Sequence, residues 1–175
     1  LFHRGLLTAA RLARACGGRD AEAARYQAAA DRLAASFRAR FWVDGRLADH
    51  LNRDGSPDAQ VRPNGLLAVL ASPSLFTVKE RASIAAETGA RLVKPWGVQS
   101  LVEDDPDFKP KHLDLASHYY DAAYHNGDVW LWLSGPYVSA LPEPAAGFGQ
   151  TRMLLDEILD EGAVGTVQEI RDGAR

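Results

Sequence analysis

One stretch of this chain gathers the residue types that grip a sugar: Tyr124-His125-Asn126-Gly127-Asp128-Val129-Trp130-Leu131-Trp132-Leu133-Ser134-Gly135-Pro136. A pyranose ring presents C–H groups on its faces and hydroxyls around its rim. A site for it needs planar aromatics to stack on and short polar side chains to bond the rim. The stretch holds both. Its spacing also permits a plainer arrangement, with Trp130 and Leu133 facing a core at i and i+3 while Asn126 and Asp128 cap a helix.

Two further groupings bear on chemistry. His112, Asp114, His118, Asp121, His125 and Asp128 follow one another closely, and His with carboxylate is the ligand set of zinc or non-haem iron. A metal-dependent hydrolase built on His112 to Asp128 is therefore one alternative. The cluster lacks an H-E-x-x-H or comparable spacing, and the expectation is no metal and no cofactor. Near the end, Thr166-x-x-Glu169 is a capping-box pattern that could start a helix. No long apolar run follows before Asp172-Gly173, which weakens that reading.

The elements that would position these groups read as helices. Phe2, Leu6, Ala10 and Ala13 recur at helical spacing and end at Gly17-Gly18. Asp20 sits where an N-cap belongs. The Ala-rich run from Ala21 to Arg40 carries Tyr26, Ala30, Leu33 and Phe37 on one stripe. Phe41-Trp42-Val43, Gly45 and Leu47 read as a short hairpin or extended turn, with Trp42 packing in a core, and Asp49 to Pro63 as a polar loop with side chains free for chemistry. Pro63 to Ala71 and Val78 to Val93 form an antiparallel helical pair, residues 94 to 124 a long loop, and Asn126 to Leu141 and Ala145 to Glu161 the last two helices. About six helices in pairs, with almost no strand pattern, predict an all-α fold: a solenoid, a bundle or part of a toroid.

Composition narrows the function. The chain has 175 residues, 46% hydrophobic and 25% charged, ordinary for a globular core. A net charge of -3 with scattered Lys and Arg makes no basic field, so nucleic acid is not expected as a partner. The single Cys16 excludes an internal disulfide framework and suits the cytoplasm, and no apolar run is long enough for a membrane span.

In this order along the chain, five stretches resemble the C-terminal helical domain of bacterial glycogen-debranching enzymes and related amylo-alpha-1,6-glucosidases. Arg62-Pro63-Asn64-Gly65 is similar to that family's Arg-Pro-Asn-Gln turn. Pro95-Trp96-Gly97-Val98-Gln99-Ser100-Leu101 is similar to its Pro-aromatic-Gly-Leu-Arg-x-Leu segment, and Asp104-Asp105-Pro106 to the acidic turn after it. The Tyr124 to Pro136 segment follows, and Gly162 to Gly173 resembles a Gly-x-x-Gly-x-x-Ser-Glu-x-x-Asp-Gly motif. Gly65 stands where the family usually has Gln, and Gln99 where Arg is common.

The resemblance implies about half of an (α/α)6 toroid with the six-hairpin architecture of glucoamylase-like glycosidases, residues 1–175 being the C-terminal part of one catalytic domain truncated at both ends. It implies hydrolysis, with inversion, of alpha-1,6-linked glucose in a branched alpha-glucan, glycogen or limit dextrin. Glu169 aligns with the general base; the general acid is an Asp in a Thr-Trp-Met-Asp-type motif that would precede Leu1 and does not occur here, so the fragment alone is expected to be inactive. Arg62, Asn64, Trp96, Tyr124, His125, Asn126, Asp128 and Trp130 are the expected sugar-binding residues. The remaining alternative is a non-catalytic helical module for carbohydrate or protein binding, for which Ala-rich seams suffice.

Overall fold

In the computed structural model, which describes residues 1–112, 122–160 and 166–173, the chain is helical with two small sheets. Helices α1 (Phe2–Ala15) and α2 (Asp20–Phe41) form an antiparallel pair whose buried positions are His3, Ala10 and Ala13 on one and Ala23 and Ala30 on the other. These recur three or seven residues apart, and small Ala side chains let the two backbones approach closely. His3 Nδ1 lies 2.6 Å from Ser72 Oγ, both buried, which ties α1 to the end of α3 (Asn64–Ala71).

Strands β1 (Trp42–Val43) and β2 (Arg46–Leu47) make a hairpin around Asp44-Gly45. Beyond it the chain doubles back on itself, with Asp49 N–H donating to Asp58 O and Asp58 N–H to His50 O. Helix α4 (Val78–Arg91) opens with a capping box between Thr77 and Glu80. One core joins these parts: Val69, Phe76 and Ile84, with Phe37, Trp42 and Leu47 against them. Trp42 is thus a packing residue, edge-on to Phe76 and beneath the Arg38 guanidinium.

The second sheet is the main addition to the sequence reading. It runs in the order β3 (Val93–Lys94), β4 (Gly97–Gln99), β5 (Val129–Trp130), β6 (Ile170–Arg171), antiparallel throughout. Two- and three-residue strands carry no readable alternation, and β5 pairs with strands thirty or more residues away on either side, which leaves no hairpin signal. The sheet also changes the expected helix at 126–141. Asn126 and Asp128 both donate backbone N–H to Ala123 O in a tight turn, Val129 and Trp130 then pair with β4, and α5 spans only Ser134–Ala140. Pro136 falls in its first turn, where a missing N–H costs nothing. A second core of Val61, Leu92, Val98, Val102 and Leu133 lies under this sheet. Helix α6 (Phe148–Asp160) follows, with Phe148, Leu155 and Leu159 exposed along it.

Candidate functional site

A cavity of about 430 Å³ opens between the doubled-back loop after β2, the start of α3 and the segment that carries β5 into α5. Its aromatic wall is Trp130, Trp132 and His125. Trp130 is fixed from both ends: its backbone pairs with Val98, and its indole N–H donates to Tyr124 O at 3.0 Å. The His125 ring lies parallel to Trp130 at 5.6 Å, and the Tyr124 ring meets Trp130 edge-on at 4.6 Å. Trp132 is 53% exposed, leaving a face open to the cavity.

The polar wall comes from Asp49, His50, Arg62 and Asn64. Asn64 Nδ2 donates to Asp49 Oδ1 at 2.8 Å, and His50 Nδ1 lies 3.1 Å from Asp49 Oδ2. Arg62 acts as a clamp on the loops. Nε donates to Gln60 Oε1 at 2.9 Å, Nη1 to the Ser100 and His125 carbonyls, and Nη2 to Asn126 Oδ1 at 2.8 Å. Four of its five N–H groups are taken by protein acceptors. Its guanidinium therefore joins the loop before α3 to the turn before β5, and the cavity's two walls are set against each other through it.

Behind the aromatic wall stands a second polar group. Asp128 is fully buried, its Oδ2 2.6 Å from His112 Nδ1 and its Oδ1 without a partner among the described residues. Burial pushes its carboxyl above the usual range; the His112 hydrogen bond pulls the other way, and the nearby Asp172 charge adds to the rise. His112 N–H donates to Asp172 Oδ1 at 3.0 Å. Glu169, just ahead of β6, is exposed and accepts a 3.0 Å hydrogen bond from the Tyr124 hydroxyl. It begins no helix, so the capping-box alternative for Thr166-x-x-Glu169 does not hold.

Of the residues expected to bind sugar, Arg62, Asn64, His125, Asn126 and Trp130 line the cavity. Tyr124 stands behind that wall and links it to Glu169. Asp128 is sealed beneath, and Trp96 lies beside Arg171 of β6, its ring centroid 6.0 Å from Arg171 Cζ, outside the cavity lining. Asp49, His50 and Ser100 are lining residues that sequence reasoning did not single out. The only signal for the first two was their place in a polar loop. For the metal alternative, Asp114, His118 and Asp121 lie outside the described residues; among those described, no three His, Cys, Asp or Glu converge. His112 meets Asp128, while His125 faces the cavity. No helix among the described residues is long and apolar enough to cross a membrane.

A helical scaffold whose loops meet at an aromatic and polar cavity is that of a glycosidase-like domain. The sequence model of the amylo-alpha-1,6-glucosidase family matches residues 1–175, and the chain belongs to that family. It is similar to a glycogen debranching enzyme of Saccharomyces cerevisiae, 31% identical over 98 residues that cover 51% of this chain and 6% of the yeast protein. The chain thus spans a small part of the length of that relative.

Proposed function

We propose that this chain supplies the glucan-binding wall and the general base of an inverting glycosidase that releases alpha-1,6-linked glucose from branch points of glycogen or a limit dextrin. The observation that carries the reading is the cavity itself, where an indole and an imidazole stacked in parallel face a carboxylate and a carboxamide. That is the pairing of flat apolar faces with rim-bonding polar groups that a hexose requires. Glu169 is the base. It lies outside the cavity lining but is open to solvent, where a water can reach it, and the Tyr124 hydroxyl behind the aromatic wall donates to it. The opposing acid is an Asp from a segment ahead of Leu1, protonating the departing oxygen while Glu169 takes a proton from water across a gap of roughly 6.5–9.5 Å. The helices are part of an (α/α)6 ring, and the enzyme works in the cytoplasm.

The test is made on the complete protein that contains this chain. Glu169→Gln should cut glucose release from a limit dextrin about 10³-fold or more with little change in glucan binding, because a base acts mainly in the transition state. Wild-type product, followed by NMR as it forms, should appear first as the beta anomer. Unchanged turnover in the variant removes Glu169 as the base; glucan binding without any hydrolysis in the wild type favours the non-catalytic binding module instead.

A further inference from the structure

We propose that Asp49 is the residue that selects the sugar in this cavity, its carboxylate accepting hydroxyl groups from the ring of the bound glucose unit. The proposal rests on the alpha-glucan reading above and names the group that gives it specificity. Asp49 lines the cavity, yet its side chain is only 7% exposed. A carboxylate so placed needs its acceptor positions filled, and two oxygens offer about four. Among the described residues only Asn64 Nδ2, on Oδ1, and His50 Nδ1, near Oδ2, fill any of them.

Arg62 does not complete the set. Its Nε stands 4.0 Å from Asp49 Oδ2, beyond hydrogen-bond length, and donates instead to Gln60. The guanidinium offsets the charge of Asp49 without occupying it. A structural ion pair would close on Arg62 directly; this carboxylate is held in register by Asn64, and the described residues leave about two of its acceptor positions unfilled. Neighbouring hydroxyls of a pyranose supply two such donors, and O–H···O⁻ bonds are among the stronger neutral-to-ion contacts. Trp130 and Trp132 in the same lining offer the ring face its apolar partner. Because a buried acceptor left unpaired is costly, such a site rejects a sugar that lacks the hydroxyl far more strongly than it favours the one that has it.

The experiment uses the complete protein and reads binding by Trp fluorescence or calorimetry. The probes are isomaltose and its monodeoxy analogues at the non-reducing 2-, 3- and 4-positions. Wild type should bind isomaltose and at least one deoxy analogue about 10-fold or more apart. Asp49→Asn should bind isomaltose about 10- to 100-fold more weakly and lose that discrimination. Equal binding of every deoxy analogue by wild type overturns the proposal, and does so even where Asp49→Asn fails to fold. Isomaltose binding by a folded Asp49→Asn within twofold of wild type also overturns it, while leaving the glucosidase reading intact. Absence of any isomaltose or malto-oligosaccharide binding in wild type overturns both.

Discussion

Two aromatic clusters in this molecule each end on a carboxylate, and the carboxylates are treated in opposite ways. At the first, Phe37, Trp42 and Phe76 pack together while Arg38 reaches over the Trp42 ring to Glu80. Both terminal guanidinium nitrogens of Arg38 bond Glu80, each at 2.8 Å, and the Thr77 N–H adds a third donor at 2.8 Å. The Arg38 hydrogen bonds hold the Glu80 carboxyl down to about 2. At the second, Tyr124, His125 and Trp130 pack together, and Asp128 beneath them has one imidazole for a partner and one oxygen without any among the described residues. Its carboxyl is pushed up by burial. The first cluster is closed and saturated, as structure requires. The second, among the described residues, has one carboxylate oxygen unpartnered beside a cavity, the pattern in which perturbed groups mark functional places.

Backbone packing separates the two regions most sharply. Gly127, in the turn before β5, donates its N–H to Ser100 Oγ at 2.9 Å, and a Cβ there would run into the Lys109 carbonyl. Backbone cannot yield as a side chain can, so Gly127→Ala should cost about 3 kcal/mol or more and reach the soluble fraction poorly. Gly65, in α3 beside the first cluster, is the contrast. Its added Cβ would meet Ile84 Cγ2 at 3.1 Å, a side-chain methyl that can shift, and the helix gains about 0.5–1 kcal/mol from Ala over Gly. Gly65→Ala should leave the melting temperature within about 3 °C of wild type. Equal losses at the two glycines would mean that the site is no more tightly built than the core.

The two arginines come next in size. Arg62 holds four acceptors on three separate segments, whereas Arg38 bonds one carboxylate and the Leu75 carbonyl. A lysine has one ammonium and cannot reproduce a fork. Arg62→Lys should therefore lose about 2 kcal/mol of stability and weaken isomaltose binding as the cavity walls separate; Arg38→Lys should lose about 1 kcal/mol with binding unchanged. Denaturant melts of both variants, paired with sugar titrations, check this. A binding loss at Arg38→Lys would show that the clusters are coupled.

The same contrast explains what was readable in the sequence. Helices α1, α2 and α4 were legible to within a few residues because periodic Ala and apolar positions and the Gly17-Gly18 stop are local signals. The aromatic stretch from Tyr124 was legible as a sugar-binding candidate, and three of its residues, His125, Asn126 and Trp130, line one cavity with Arg62 and Asn64. The four-stranded sheet was not, since β5 needs Val98 and Ile170 beside it before it is a strand at all. Asp49 was passed over for a related reason. An Asp in a polar loop looks solvated until Asn64 and Arg62 close over it, and nothing local announces that burial. Trp96 is the opposite case: its motif is conspicuous in sequence, and the turn between β3 and β4 places it outside this cavity's lining.

The smallest effect is also the cleanest test of the comparison, because the two carboxylates should give pH dependences of opposite sign. Glu80 has its folded pKa lowered from 4.5 to about 2, so it stabilises the fold at any pH above about 4.5, and that contribution fades as pH falls through 4.5 toward 2. Arg38 is 40% exposed, which screens the pair, and about 1 kcal/mol is expected rather than the full value of the shift. Asp128 has its folded pKa raised above 3.8, so the folded state holds that proton more tightly than the unfolded chain does. Its contribution is largest below 3.8 and is lost as pH rises through the folded value. Urea melts of wild type, Glu80→Gln and Asp128→Asn between pH 3 and 7 should then cross. The gap between wild type and Glu80→Gln should widen with rising pH, while the stability of wild type relative to Asp128→Asn should decline over the same range. Parallel curves for the two variants would mean that Asp128 is charged and satisfied like Glu80, and that the region beside the cavity is under no more electrostatic tension than the core.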